Sequence, residues 1–203
     1  MLHFPNSKHV STWLLSTIIM VVLMILIGGV TRLTDSGLSM VEWRPLWGFL
    51  PPTSEIEWKR VFELYMNSPE YIFKNNGMSL EEFKEIFFWE YFHRLWGRLI
   101  GIIFIIPMLF FIILKKIPKS ILSKLFIILF LGGLQGFIGW WMVKSGLVND
   151  PSVSQYRLTI HLSNALLILS LLIWVYLEIK EGVSQIKPDF SFFMFSILFI
   201  TII

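Results

Sequence analysis

The chain contains no cysteine, and charged residues make up only 15% of its 203 residues. The absence of cysteine excludes disulfides, thiolate metal sites and cysteine nucleophiles. The net charge of +3 says little by itself, and no nucleic-acid partner is expected. Hydrophobic residues make up 55% of the chain and include nineteen Phe and nine Trp. This composition is typical of a protein that lies within a lipid membrane.

Four long apolar runs divide the sequence. About 20 apolar residues are enough to cross a hydrocarbon core of roughly 30 Å. We therefore predict an all-α integral membrane protein, a four-helix transmembrane bundle formed by residues 1–186, with spans at about 12–30, 87–114, 121–143 and 156–177. A fifth apolar run begins near Phe190 and ends at Ile203, too short to span comfortably. Residues 187–203 are interpreted as the truncated start of a second bundle.

Lysines predict the orientation of the bundle in the membrane. They crowd the short link between spans two and three, at Lys115, Lys116, Lys119 and Lys124. The positive-inside rule places this link and the N-terminus in the cytoplasm. The long outer loop, residues 32–86, then lies on the opposite side. Helix-start signals in this loop predict a helical extracytoplasmic cap whose last helix continues into span two; they lie at Ser54, Ser68 and Ser79.

Two histidines lie at matched depths in spans two and four. Both spans run inward, and His93 and His161 lie about five or six residues past their starts, on the order of 8–9 Å below the outer boundary. Two imidazoles that face each other can bind a haem iron from both sides. Each is followed four residues later by a small residue, Gly97 or Ala165, which leaves room for a flat macrocycle. The alternative is that each histidine is a polar packing residue.

Charged residues flank both histidines. Glu90 precedes the first by one turn, where a carboxylate can act as a base, stabilise a cation or hold a water. It can equally be an interfacial glutamate paired with Arg94. Arg98 lies on the order of 16 Å into the span and needs a carboxylate, carbonyl groups or a propionate as its partner. Arg157 precedes the second histidine by one turn and is a candidate partner for a haem propionate.

Small residues also recur where helices are expected to pack. Gly132 and Gly136 form a G-x-x-x-G pair in span three, and Gly28 and Gly29 lie near the end of span one. Such pairs let helix backbones approach closely in membranes. We predict that these four glycines serve helix packing and shape the pocket only indirectly.

Three stretches of the sequence resemble the haem A synthases. The first is Gly28-Gly29-Val30-Thr31-Arg32-Leu33-Thr34 with Ser36-Gly37-Leu38-Ser39. The second is Glu90-Tyr91-Phe92-His93-Arg94-Leu95-Trp96-Gly97-Arg98, and the third runs from Gly133 to Leu147 and is followed by His161. The resemblance covers essentially the whole chain. It is closest to the alphaproteobacterial and mitochondrial branch, because the outer loop is long and lacks a cysteine pair.

The resemblance implies a fold and an activity. The family fold has eight spans in two pseudo-symmetric four-helix bundles, and this chain corresponds to the N-terminal half. A haem A synthase oxidises the C8 methyl group of haem O to a formyl group, with water as the oxygen source, and supplies haem A to cytochrome c oxidase. A b-type haem is then expected in the C-terminal half, beyond Ile203, so this chain is expected to bind haem O and to be inactive alone if that half is absent.

The same resemblance assigns the site. His93 and His161 become the axial ligands of the substrate haem O, and Glu90 becomes the catalytic carboxylate. The residues expected around the substrate are Arg94, Gly97, Arg98, Arg157 and Ala165.

Partners and location follow from the resemblance as well. We expect membrane lipid around the protein, the farnesyl-transferring haem O synthase as a functional partner, a role in cytochrome c oxidase assembly, and a possible homo-oligomer. The bacterial inner membrane is the expected location, with the mitochondrial inner membrane as the alternative. Two other functions stay open: a non-catalytic, cytochrome-b-like electron-transfer subunit, which has no use for Glu90, and a small transporter, which binds no pigment.

Overall fold

The computed structural model of the protein describes residues 7–42, 49–147 and 151–181. These ranges fold into six helices and contain no strand: α1 (Ser7–Leu33), α2 (Glu55–Met66), α3 (Pro69–Phe73), α4 (Leu80–Ile113), α5 (Lys119–Gly146) and α6 (Gln155–Glu181). Four of them are long and apolar enough to cross a membrane, at Lys8–Leu33, Leu80–Ile113, Lys119–Gly146 and Gln155–Lys180. The prediction of an all-α, multi-pass membrane protein is confirmed. The predicted fifth span and the region 187–203 lie outside the described residues.

The four long helices pack in the order α4, α1, α6, α5. Helix α1 contacts both α4 and α6, and α6 contacts α5. Helices α4 and α5 follow each other in the chain. Within the described ranges, however, they do not pack against each other as extensively as the three pairs above. The buried core lies at the half of the bundle that includes the start of α1 and the end of α6, where Leu14, Met108, Leu125 and Leu172 are at most 1% exposed. The histidines lie toward the opposite half.

Helix α4 is 34 residues long, about 51 Å at 1.5 Å per residue. It begins with the predicted capping box, in which Glu82 Oε2 accepts the Ser79 backbone N–H at 2.7 Å and Ser79 Oγ accepts the Glu82 N–H at 3.3 Å. As predicted, the helix then continues without a break into the second span. Its first turns share a small core with α2 and α3, formed by Tyr65, Phe83 and Phe87.

A proline inside α4 creates a free backbone acceptor. Pro107 has no N–H, so the carbonyl of Ile103 loses its usual helical donor. In hydrocarbon an unsatisfied carbonyl is costly and needs another partner. The indole Nε1 of Trp13, on α1, donates to this carbonyl at 2.9 Å. The hydrogen bond therefore satisfies the proline site and ties α1 to α4 at the same time.

We expect Trp13→Phe to lower the free energy of unfolding by about 1–3 kcal/mol, because it leaves the Ile103 carbonyl unsatisfied in a buried place. The loss should shrink in a Pro107→Ala background, where residue 107 again donates to Ile103. Thermal unfolding of the four variants in detergent measures this coupling. Trp96→Phe is the matched control, because the Trp96 indole donates to the Met20 carbonyl, where no proline follows. An equal loss in both backgrounds would contradict the explanation.

Candidate functional site

The ring of His93 lies against the backbone of α1. A Cβ atom placed on Gly28 would be only 3.3 Å from His93 Nε2 and 3.6 Å from its Cδ2. A contact of 3.3 Å is tighter than ordinary van der Waals packing, so the missing side chain at position 28 is what accommodates the imidazole. Gly28 therefore shapes the site directly, whereas the sequence predicted only helix packing for it.

His161 has the same relationship with α5. A Cβ atom on Gly139 would be 3.1 Å from His161 Cε1, 3.7 Å from Nδ1 and 3.9 Å from Nε2. The Nδ1 atom is buried without a hydrogen-bond partner among the residues that the structure describes. Helix α6, which carries His161, packs along α1, the helix against which the His93 ring lies. Each imidazole thus rests on a glycine of the neighbouring helix.

These features suit two axial ligands of a haem iron. Neutral imidazoles are common iron ligands, and both rings are placed by close packing against glycine. Within the described ranges no group of three or more His, Asp or Glu side chains could hold a bare metal ion. A Cβ on Gly97 would lie 3.3 Å from Met24 Cε, so this position faces α1, and its role toward a macrocycle stays a prediction. Ala165 is half-buried on α6.

Glu90 is almost completely buried, at 3% exposure, one turn before His93. Its Oε2 accepts hydrogen bonds from Ser39 Oγ and from the Met40 backbone N–H, both at 2.7 Å. Its Oε1 pairs with the Arg94 guanidinium, which also donates to the Met40 carbonyl at 3.2 Å. The carboxylate thereby holds the segment after α1 against α4. The sequence left pairing with Arg94 open, and the structure has this pair in a buried setting.

The bonding of Glu90 decides which chemistry it can perform. A carboxylate that accepts three hydrogen bonds, one of them from a guanidinium, is held in one position and is not free to move toward a substrate. It is better suited to act as a fixed negative charge close to His93. Such a charge can stabilise a cation that develops nearby, since preorganised charges are most effective where water is excluded.

The two other arginines have aromatic partners. The Arg157 guanidinium donates to the Trp141 carbonyl at 2.7 Å and lies 4.3 Å from the centre of the Trp141 ring. Arg98 lies 5.4 Å from the centre of the Phe49 ring. The arrangement of Arg157 leaves further guanidinium donors, since Arg has five N–H groups in all. A role of either arginine toward a propionate stays a prediction.

Three of the predicted packing glycines have no close neighbour in the described part of the chain. A Cβ on Gly29, Gly132 or Gly136 would meet no atom within 4 Å outside its own helix. These positions lie on exposed faces of α1 and α5, so they do not bring helices of this bundle together. Their role in helix packing stays a prediction, because G-x-x-x-G spacing marks a smooth helix face without saying what covers it.

A cavity of about 240 Å³ lies between α2 and the residues after α1, away from both histidines. Ser39, Met40 and Phe87 contribute to its wall. Sites for drug-sized ligands range from about 300 to 1,000 Å³, so this cavity is too small for a porphyrin. The glycine contacts of the two imidazoles locate the candidate site better than the cavity does.

A second buried carboxylate, Glu70 of α3, was not found from the sequence. It is 3% exposed, and its Oε2 accepts a hydrogen bond from Tyr65 Oη at 3.0 Å. Asn75 Nδ2 donates to the same Tyr65 oxygen at 2.7 Å. Burial raises the pKa of Glu70 to about 7, and the negative charge of Glu90 adds to the rise, while the Tyr65 hydrogen bond opposes it. Burial likewise raises the pKa of Tyr65.

The protein should lose stability as the pH rises from about 4.5 to 7, because of Glu70. The unfolded carboxyl ionises near 4.5 and the folded one near 7, so the folded state binds more protons between these values. The expected loss is on the order of 2–3 kcal/mol. Glu70→Gln should flatten the dependence of the melting temperature on pH, whereas Glu63→Gln, at an exposed position of α2, should not. Equal slopes in wild type and Glu70→Gln would contradict this assignment.

Known proteins resemble the chain over nearly all its length. The profile of the family described as cytochrome oxidase assembly protein matches residues 11–203. The heme A synthase of Nitrosospira multiformis is 53% identical over 176 residues, 87% of this chain and 49% of that protein. Those of Parvibaculum lavamentivorans and a Caulobacter species are 46% and 45% identical over 88% and 92% of this chain, and 52% and 54% of their own lengths. The chain thus spans about half the length of the curated relatives it matches. No solved structure matches it.

Proposed function

The chain belongs to the family of cytochrome oxidase assembly proteins, and we propose that it provides the haem O site of a haem A synthase. The reaction converts the C8 methyl group of haem O to a formyl group, with an oxygen atom from water. Its product, haem A, goes to cytochrome c oxidase. Relatives named heme A synthase, which are 45–53% identical to this chain, support the proposal.

The observation that carries the proposal is the placement of the two imidazoles. His93 of α4 rests on Gly28 of α1, and His161 of α6 rests on Gly139 of α5. We propose that both rings ligate the iron of haem O, one from each face. Close packing on Gly28 and Gly139 would hold the rings ready for ligation, which limits the ordering that haem binding requires.

Glu90 is proposed to act on the methyl group through its charge. Oxidation of a methyl group to a formyl group with water as the oxygen source requires electrons and protons to leave the carbon, and positive charge develops there before the oxygen of water is added. Glu90 lies one turn from His93 and is fixed by Ser39, Met40 and Arg94. A fixed carboxylate there stabilises the developing charge without reorganisation of its surroundings. The electrons would pass to a b-type haem, which the resemblance places in the half of the fold beyond this chain.

The proposed setting is the bacterial inner membrane, with the N-terminus in the cytoplasm. Haem O would be handed over by the farnesyl-transferring haem O synthase, because that enzyme makes the substrate. A possible homo-oligomer belongs to the same proposal. Orientation can be tested by labelling single cysteines from outside, since the natural chain has no cysteine to interfere.

The test is to identify the haem that co-purifies with the chain when a haem O source is co-expressed. Haem O should be present in the wild type and absent from His93→Ala and His161→Ala. His9→Ala is the matched control, because His9 is exposed at the start of α1. Any haem A in the extract would show that this chain also turns over its substrate. Haem that persists in both histidine variants would refute the proposed site.

A further inference from the structure

We propose that Gln135, held in one orientation by Asn164, is a positioning residue that presets the tautomer of His161 for iron binding. The inference rests on the proposed ligation of haem by His161. It concerns the imidazole before haem arrives, so it can be tested in the haem-free protein.

A short chain of hydrogen bonds fixes the orientation of both amides. Asn164 is 9% exposed on α6, and its Nδ2 donates to the Leu131 carbonyl at 3.1 Å and to Gln135 Oε1 at 2.7 Å. The Gln135 Nε2 donates in turn to the His161 carbonyl at 3.1 Å. Backbone carbonyls can only accept, so a flip of either amide would bring two oxygens or two N–H groups together. The network therefore has a single consistent direction.

This direction determines the tautomer of His161. Gln135 Nε2 also lies 3.2 Å from His161 Nε2. An amide nitrogen donates and does not accept, so a neutral imidazole beside it must present its lone pair at Nε2 and carry its proton on Nδ1. The Nδ1 atom has no hydrogen-bond partner among the described residues, so Gln135 is the group there that selects the tautomer.

Iron binding needs the same tautomer. A ligating imidazole gives the lone pair of one nitrogen to the metal and keeps its proton on the other. In many metal sites a partner of the N–H nitrogen fixes this arrangement. In His161 the partner that fixes the tautomer is Gln135, and it lies beside Nε2, the nitrogen that would bind the iron, instead of beside the N–H nitrogen. When the iron takes the Nε2 lone pair, Gln135 gives up that one contact and keeps its bond to the His161 carbonyl.

Nitrogen-15 NMR of the full chain in detergent, with labelled histidine and no haem, tests the proposal directly. The neutral ring of His161 should carry its proton on Nδ1 in the wild type. Gln135→Met should shift protons toward Nε2, and Gln135→Glu should do so further, because a carboxylate accepts where the amide donated. Ser170→Ala is the control, since among the described residues the Ser170 hydroxyl donates a hydrogen bond only to the Leu166 carbonyl on the same helix. A proton on Nε2 in the wild type, or the same tautomer in Gln135→Met, would overturn the proposal.

Titration with ferric haem b measures independently how Gln135 affects the affinity of the chain for haem. Loss of a group that orients a ligand typically weakens metal binding about 10–100-fold. We expect the affinity to fall about tenfold in Gln135→Met and further in Gln135→Glu, with the melting temperature of the haem-free chains similar. If the affinity for haem falls equally in both variants, and in step with a lower melting temperature, Gln135 has a merely structural role and the proposal is refuted. If Gln135→Glu does not fold, Asn164→Leu replaces it, because it frees the orientation of Gln135.

The two proposals fail in different ways. A wild-type chain that binds no haem through His161 refutes the proposed function, whatever its tautomer. A chain that binds haem normally, but whose His161 has the same tautomer with and without Gln135, refutes only the role of Gln135.

Discussion

Glu90→Ala should destabilise the protein by about 3–5 kcal/mol, because breaking a buried ion pair leaves the opposite charge in place. The Arg94 side chain is only 11% exposed and the Glu90 side chain 3%. The substitution also removes the acceptor that Ser39 and the Met40 backbone share. The segment after α1 should then detach from α4. Thermal unfolding in detergent and protease sensitivity near residue 40 measure both effects.

The structural role of Glu90 has to be separated from its proposed chemical role. The double variant Glu90→Gln with Arg94→Met does this, because the amide oxygen still accepts from Ser39 and Met40 while no buried charge remains. Replacing a buried ion pair by uncharged groups is often neutral for stability. We expect this variant to regain most of the stability and its bound haem O. When the C-terminal half of the fold is also present, the ratio of haem A to haem O should fall at least about 100-fold below that of the wild type under the same conditions. An unchanged ratio would falsify the chemical role and leave Glu90 as a structural clamp.

Local signals in the sequence were sufficient to predict the helices. The Ser79–Glu82 capping box lies within one turn, and each span is a continuous apolar run that the membrane constrains by length alone. The continuity of α4 followed because no stop signal separates residue 80 from the second span. The pairing of the two histidines stays a prediction, and it rests on the comparable depths of comparable positions in helices that run in the same direction.

Contacts between distant segments could not be predicted in this way. Ser39 and Glu90 are 51 residues apart, and nothing in the residues around Ser39 marks it as a partner of a carboxylate. Glu70 occupies a short helix in which an acidic residue in the first turn is ordinary, so its burial depends on how α2, α3 and α4 meet. Gly28 and Gly29 are adjacent in sequence, but only the first faces α4, since successive residues of a helix point about 100° apart.

Gly28→Ala and Gly139→Ala are expected to weaken haem binding about 10–100-fold, the range found when the support of a metal ligand is altered. The new methyl groups would lie 3.3 Å from His93 Nε2 and 3.1 Å from His161 Cε1, so each ring must move by a few tenths of an ångström. Metal–ligand distances are specified to about 0.2 Å. A displaced ring should release its side of the iron, which optical spectra report as a change from six-coordinate low-spin to five-coordinate high-spin haem.

The same substitutions should raise, not lower, the stability of the haem-free chain. Alanine is favoured over glycine inside a helix by about 1 kcal/mol, so a rise in melting temperature together with weaker haem binding separates an effect on the ligands from a general loss of structure. Gly29→Ala and Gly136→Ala are matched controls on the same two helices, because their Cβ atoms would meet no atom within 4 Å in the described ranges. These controls should gain stability and bind haem as the wild type does. Equal loss of haem in all four variants would mean that glycine flexibility matters, and that the close approach of the two imidazoles to α1 and α5 does not set the site.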